Sequence, residues 1–184
     1  SGAASADVGV QAPSPHREGS GATARGRGGS GRPLRAHGGA LLIAVDTNVL
    51  VYAHREETVA HDPAVQALTG LAESAVAWGL PVFAMGEFLR VVTHPRVFRP
   101  PSDAAVAVGF LDRLLESPSL RVLLPGSRYW ELLRELVPAA RASGNLVFDA
   151  QVAAVCLEHG ATTILTEDRD FARFPGITVR TLGG

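Results

Sequence analysis

Residues 42–45 form a short run that is apolar at every position and is followed directly by Asp46. A strand of this kind is buried on both faces, as in the centre of a parallel sheet that helices cover on both sides. The segment after it, residues 47–53, is predicted to start a helix. Further strand candidates, separated by amphipathic helical segments, are residues 81–84, 121–124, 162–165 and 177–180. The alternation predicts an α/β protein with three layers (α/β/α) around a central, mostly parallel sheet.

Helix starts are predicted where a capping residue precedes an apolar periodic segment. Asp62 has this position before one helix, and Ser102 has it before a later helix that carries Val106 and Phe110. Ser127 is expected to open the most strongly amphipathic helix of the chain. Asp149 is expected to start the helix that follows.

The first 40 residues differ in composition from the rest of the chain. They consist mainly of Gly, Ala, Ser, Pro and Arg, and they carry five Arg against two acids. With few large apolar side chains, such a segment cannot bury enough surface to offset its ordering entropy. We therefore expect residues 1–40 to be a disordered extension or tag, and residues 41–184 to form one folded domain.

Composition excludes several classes of chemistry. The chain contains no Lys, which rules out Schiff-base catalysis and the phosphate-binding Lys of nucleotide-binding loops. Cys156 is the single cysteine and lies among apolar neighbours, so a buried thiol and a reducing compartment are expected. No apolar run is long enough to span a membrane, and no signal-peptide pattern is present. These features predict a cytoplasmic protein that does not act in the membrane.

Four acids fall at the ends of predicted strands or at the helix starts beside them. They are Asp46, Glu87, Asp149 and Asp168. Parallel sheets bind ligands at the carboxyl ends of their strands, so these positions should share one edge of the sheet. Carboxylates that converge repel one another unless a cation compensates, and hard oxygen ligands select Mg²⁺ or Mn²⁺. The pattern predicts a divalent-metal site that could activate water for attack on a phosphate.

A plainer interpretation applies to each acid on its own. Asp at a helix start is common as an N-cap, and both Asp149 and Asp168 qualify. Glu87 is harder to explain in this way, because it lies among apolar neighbours and needs a partner such as a metal or Arg90.

Four ordered segments resemble the motifs of PIN-domain ribonucleases, in particular toxins of the VapC type. The segments are VDTNVLVYA at 45–53, EFLRVVTHPR at 87–96, FDAQVAA at 148–154 with EHGA at 158–161, and TEDRDFARFPG at 166–176. The resemblance covers residues 41–184 and implies an α/β/α domain that acts as a Mg²⁺- or Mn²⁺-dependent endoribonuclease. It also implies an RNA substrate, a small antitoxin protein that blocks the site, and a homodimer.

The resemblance assigns roles to particular residues. Asp46, Glu87, Asp149 and Asp168 match the catalytic, metal-binding acids of the family. Asn48 and Thr166 would support these acids by hydrogen bonding, with ordinary strand-end hydrogen bonds as the alternative. Asp170 would either add negative charge to the site or cap the turn before Phe171.

Contacts with RNA are predicted from charge and from loops. The candidates for holding phosphates are Arg90, Arg96, Arg99, Arg169 and Arg173, although surface arginines are more often solvated or in contact with a protein partner. Residues 54–61 and 94–101 are expected to be substrate-facing loops. Trp78 and Trp130 are interpreted as core or interface residues and not as platforms for base stacking, since each lies in or beside an apolar helix face.

Two other functions compete with the nuclease. A PIN-like domain that binds RNA or protein with little cleavage would be consistent with the same fold. A phosphohydrolase or phosphoacceptor domain also uses Asp at strand ends, but its usual forms need a Lys that this chain lacks.

Overall fold

The computed structural model describes residues 42–184, so the predicted disordered extension at 1–40 lies outside the described part of the chain. The strands are β1 Ile43–Val45, β2 Trp78–Pro81, β3 Leu120–Leu123, β4 Thr163–Leu165 and β5 Thr178–Arg180. The α-helices are α1 Thr47–His54, α2 His61–Glu73, α3 Val82–Val92, α4 Ala104–Leu115, α5 Tyr129–Ala139 and α6 Leu146–Glu158, and a 3₁₀ helix spans Arg169–Arg173.

The five strands form one sheet in the order β3-β2-β1-β4-β5, and every pairing is parallel. The first strand therefore occupies the centre, and the later strands extend the sheet on either side of it. Ile43 pairs with Trp78 of β2 on one side and with Thr163 of β4 on the other.

Alternate residues of the central strands face two separate hydrophobic cores. Ala44 and Ile164 pack in a core with α5 and α6, whereas Val45 and Leu165 pack in a core with α1, α2, α3 and α4. Successive side chains of a strand point to opposite faces, so this division places helices on both sides of the sheet. The predicted three-layer α/β architecture is confirmed.

The second strand begins earlier than the sequence analysis predicted. Residues 81–84 were expected to be extended, but the strand is Trp78–Pro81 and α3 begins at Val82. Trp78 is fully buried on this strand and not on a helix. At Gly79 a Cβ atom would lie 2.7 Å from Cδ1 of Leu123, so the glycine permits a close approach to the neighbouring strand. The predicted core position of Trp78 is thus confirmed, although the residue lies on a strand and not on a helix.

The predicted helix starts are also displaced. Asp62 lies in the first turn of α2 instead of capping it, and Arg128, not Ser127, occupies the N-cap position of α5. Asp103 caps α4, since its Oδ1 accepts hydrogen bonds from the amides of the next turn at 2.8 and 3.2 Å. Ser102 is unavailable as a cap because its hydroxyl contacts His54 and Arg55.

Two further features match the sequence analysis. Cys156 is buried in α6, as expected for a core thiol. Across residues 42–184, none of the helices combines the length and the apolar character that crossing a membrane requires.

Candidate active site

The four predicted acids line one cavity at the carboxyl edge of the sheet. Asp46 follows β1 directly, and Asp168 lies beyond the end of β4. Glu87 is in the second turn of α3, not in the first as predicted, and Asp149 is in the first turn of α6, not at its cap. The cavity has a volume of about 1030 Å³. The topology thus brings together four acids that are far apart in the chain.

Asp46 is buried and receives a hydrogen bond from across the sheet. The hydroxyl of Thr166 donates to Oδ2 of Asp46 at 2.7 Å. The same hydroxyl oxygen accepts hydrogen bonds from Nδ2 of Asn48 at 2.8 Å and from the amide of Asp168 at 2.9 Å. A hydroxyl has one proton to donate, and two donors already point at its oxygen. The proton is therefore directed at the carboxylate, which fixes the orientation of Asp46.

Glu87 is held by two side chains. The hydroxyl of Thr47 donates to Oε2 at 3.1 Å, and the guanidinium of Arg90 donates to Oε1 at 3.0 Å. Arg90 is 64% exposed, so this ion pair lies at the mouth of the cavity. Both oxygens of Glu87 thus have partners, which answers the expectation that an acid among apolar neighbours needs one.

Asp168 both caps a helix and lines the acidic cavity, the two roles that its position in the sequence allowed. Its Oδ1 accepts a hydrogen bond from the amide of Asp170 at 2.8 Å and caps the 3₁₀ helix, while the residue also lines the cavity. Asp170 itself is exposed and its carboxylate lies 3.6 Å from Arg173. The cap interpretation of Asp149 is wrong, because Asn145 is the residue before α6.

Two of the acids have strongly raised pKa values. Burial raises the pKa of Asp46 to about 6, and the negative charges of Glu87 and Asp168 add to this effect although the hydrogen bond from Thr166 opposes it. Burial also raises the pKa of Asp149 to about 7, with repulsion from Asp168, Asp46, Glu87 and Asp170. Near neutral pH the cavity therefore holds negative charge that the described side chains do not balance.

The donor set suits a hard divalent cation. Within residues 42–184, no group of three or more His, Cys, Asp or Glu side chains is already arranged to hold a metal ion. Mg²⁺ keeps several water molecules and binds proteins through one or two carboxylates, so it does not require a closed cage of side chains. Carboxylates that repel one another at the edge of an open cavity fit such an ion.

The predicted phosphate-binding arginines are dispersed. Arg90 is the only one of the five that lines the cavity. Arg173 donates to the carbonyl of Ala140 at 2.7 Å, and Nε of Arg99 donates to the carbonyl of Pro95 at 3.4 Å. Arg96 and Arg169 are exposed outside the cavity lining. The structure does not bring the set together into one basic patch.

Several residues of the cavity were not singled out in the sequence. They include Thr47, which orients Glu87, and a group of apolar side chains made of Val82, Phe83, Val91, Val97, Phe98, Phe148 and Val152. Phe148 could have been noticed as the neighbour of Asp149 in the FDA segment at 148–150. The exposure of its side chain could not, because it depends on the residue at which α6 begins. A second cavity of about 640 Å³, between α2 and the last residues of the chain, contains no acid.

Comparison with known proteins assigns the fold and the sequence to one group. A model of the PIN domain family matches residues 43–177. The chain is 42% identical over 133 residues to VapC ribonuclease Mb2897 of Mycobacterium bovis, which covers 72% of this chain and 90% of that protein. It is 35% identical over 136 residues to ribonuclease VapC48 of Mycobacterium tuberculosis, with 73% and 93% covered.

Solved structures share the architecture at low sequence identity. VapBC2 of Rickettsia felis, bound to a DNA fragment from its promoter, has a TM-score of 0.58 at 19% identity, with 76% of this chain and 98% of that chain covered. VapC20 of Mycobacterium tuberculosis, described as a Sarcin-Ricin loop cleaving toxin, has a TM-score of 0.55 at 20% identity, with 73% and 98% covered. At this identity the likeness is one of fold.

Proposed function

The chain belongs to the PIN-domain family and to its VapC ribonucleases, and from that premise we propose that it is a Mg²⁺- or Mn²⁺-dependent endoribonuclease. The observation that carries the proposal is the convergence of Asp46, Glu87, Asp149 and Asp168 on one cavity. Burial and repulsion among the acids raise the pKa values of Asp46 and Asp149, and a bound cation would offset both effects.

The four carboxylates would hold the ion. A bound Mg²⁺ or Mn²⁺ supplies a more acidic water molecule and neutralises charge that develops on a phosphodiester. The protein contributes position: Thr166 keeps one oxygen of Asp46 in a fixed direction, and Asn48 fixes the hydroxyl of Thr166. Arg90 balances part of the charge of Glu87 at the mouth of the cavity, where a phosphate would arrive.

The partners follow from the same proposal. The substrate is RNA, and the protein is the toxin of a toxin–antitoxin pair whose small antitoxin covers the acidic cavity. The similar Rickettsia felis structure is a VapBC2 assembly, which supports a second component. The family resemblance also favours a homodimer and a cytoplasmic location.

The test is cleavage of cellular RNA by the purified full-length protein with Mg²⁺ or Mn²⁺, compared with the same reaction in EDTA. Asp46→Asn and Asp149→Asn remove one charge each at nearly constant volume. Asp112→Asn is the matched control, since Asp112 is exposed on α4 and does not line the cavity. We expect discrete fragments from the wild type and from the control, and none from the two site variants or with EDTA.

Other results would redirect the proposal. Cleavage that survives EDTA or both site substitutions would contradict the metal-dependent mechanism. No cleavage by protein that is folded and free of antitoxin would favour the alternative of a PIN-like module that binds RNA or protein.

A further inference from the structure

Part of the cavity lining is apolar and has no role in metal-dependent hydrolysis. Besides the four acids, the lining includes the aromatic rings of Phe83, Phe98 and Phe148. At about 1030 Å³ it matches cavities that accommodate whole small molecules, and it exceeds what a hydrated ion and one phosphate need. Some further part of the substrate can therefore enter it.

Phe148 is the most exposed of these rings. It lies in the first turn of α6, directly before Asp149, and is 61% exposed. Leaving a large aromatic side chain in water forfeits the free energy of its burial, which is typical of a surface that binds something. The ring therefore belongs to the apolar part of the lining (called the aromatic wall below) and lies next in sequence to one of the four acids.

Phe98 lines the cavity and is contacted by Arg55, which does not line it. The guanidinium of Arg55 lies 4.3 Å from the centre of its ring. Arg55 also donates to the hydroxyl of Ser102 at 2.8 Å and to the carbonyl of Pro100 at 3.1 Å, and it pairs with Glu57. Only 12% of the Arg55 side chain is exposed. This partly buried guanidinium thus links the segments 54–61 and 94–101 and contacts the ring of Phe98.

We propose that Phe148 and Phe98 form a subsite for the base of an unpaired nucleotide of the RNA, an inference that rests on the proposed function. The base would stack on the exposed ring of Phe148 while its own phosphate faces the cation that the acids would hold. Arg55 is a positioning residue, since it acts through Phe98 and does not line the cavity.

The charge distribution favours a base over a second phosphate. Residues 41–184 contain 12 Arg and 16 acids, so the folded part has no net attraction for a polyanion. Arg90, the arginine in the cavity lining, is already paired with Glu87. Stacking on an aromatic ring needs no charge and tolerates every base. It does need a base whose faces are free, so the substrate would be single-stranded at this position.

The test measures binding separately from cleavage. In the full-length Asp46→Asn variant with Mg²⁺, fluorescence anisotropy gives the Kd for a labelled single-stranded 12-nucleotide RNA. The same measurement uses an abasic ribose-phosphate oligomer of equal length and a duplex of the same sequence. Phe148→Ala and Phe98→Leu are compared with Trp130→Ala, an equally exposed aromatic (68%) on α5 that does not line the cavity.

We expect Phe148→Ala to weaken binding of the single strand about tenfold, the effect of losing one base–aromatic stack. Phe98→Leu should weaken it less, because it keeps the volume and removes the ring. Binding of the abasic oligomer and of the duplex should not change with either variant, and Trp130→Ala should change none of the three. Melting temperatures would show that each variant is folded.

Two results would overturn the subsite. An equal loss for the single strand and the abasic oligomer would mean that Phe148 contributes to backbone binding. Unchanged RNA binding would exclude the ring from RNA recognition and leave the wall as a protein-docking surface. Neither result depends on cleavage, so failure of the subsite is distinguishable from failure of the nuclease, which the EDTA experiment tests in the wild type.

Discussion

Asp46 and Asp149 face the same cavity, but their surroundings differ. Asp46 is buried, and the hydroxyl of Thr166 fixes the direction of its carboxylate. Asp149 is half-buried, and among the described residues its carboxylate receives no side-chain hydrogen bond. One side of the site is therefore oriented in advance, while the other side carries charge that no described partner balances. We infer that the first side supplies geometry and the second side supplies affinity for a cation.

The sharpest test of this difference compares Asp46→Asn with Asp149→Asn in activity and in stability. Both variants should lose about 10³-fold in cleavage, the scale of losing several kcal/mol of metal-assisted stabilisation. In EDTA at pH 8, Asp149→Asn should raise the free energy of unfolding by on the order of 1 kcal/mol after allowance for solvent screening. Asp46→Asn should gain less, because its carboxylate has a hydrogen bond to lose. Calorimetry of both variants measures the difference, and equal shifts would contradict it.

Removing the support of Asp46 should cost less than removing the acid. Thr166→Val deletes a hydroxyl that has three hydrogen bonds, so we expect a 10–100-fold loss of activity or metal affinity. Thr166→Ser keeps the hydroxyl and should restore most of it. Isothermal titration with Mn²⁺ and cleavage rates provide the two measurements. A serine variant as impaired as the valine variant would show that the hydroxyl is not sufficient and would contradict the assignment of the effect to its hydrogen bonds.

The stability of the metal-free protein should fall as pH rises. The folded pKa values are about 6 for Asp46 and about 7 for Asp149, both above the ordinary value near 4. Between pH 4 and 7 the folded state therefore binds more protons than the unfolded state, so the stabilising contribution is fully present below pH 4 and is lost as the pH rises through the folded pKa values. Urea unfolding in EDTA at pH 4.5, 6 and 8 measures this trend. Excess Mg²⁺ should reduce the loss of unfolding free energy at pH 8, and Asp149→Asn should weaken its pH dependence. An unfolding free energy of the wild type that does not change with pH in EDTA would contradict the prediction.

The smallest effect is expected at the mouth of the cavity. Arg90→Gln breaks an exposed ion pair with Glu87, and such pairs contribute about 0–1 kcal/mol. We expect a change of at most a few-fold in KM, with kcat nearly unchanged, since Thr47 still holds Glu87. Steady-state kinetics on a short RNA would separate the two constants. A large fall in kcat would place Arg90 in the chemistry and not in substrate capture.

The position of the acids at the carboxyl edge of the sheet could be predicted, because short local sequence patterns indicate where each strand ends. An apolar run that ends at Asp46 gives a buried strand and its carboxyl end, and the same logic applies to the strand before Asp168. The convergence of the acids in one cavity follows from parallel topology, whereas their roles in catalysis and metal binding stay predictions.

The rest depends on contacts between distant parts of the chain. The strand at 78–81 packs closely on β3, where Gly79 lets the side chain of Leu123 approach, and nothing in its local sequence indicates that contact. The start of α6 lies at Leu146, whose side chain is buried in the core, and this burial overrides the capping preference of Asp149. The exposure of Phe148 depends on that starting residue of α6, so the sequence alone did not predict an aromatic surface in the cavity.

The contact between Asp46 and Thr166 spans 120 residues and joins the first strand of the sheet to the end of the fourth. Synthesis runs from the N-terminus, so Asp46 leaves the ribosome long before the segment that orients it. A nascent chain that stops before β4 lacks Thr166 and Asp168 and cannot complete the site. Translation thus delays completion of the candidate site: its full set of four acids exists only after Asp168 has been synthesised.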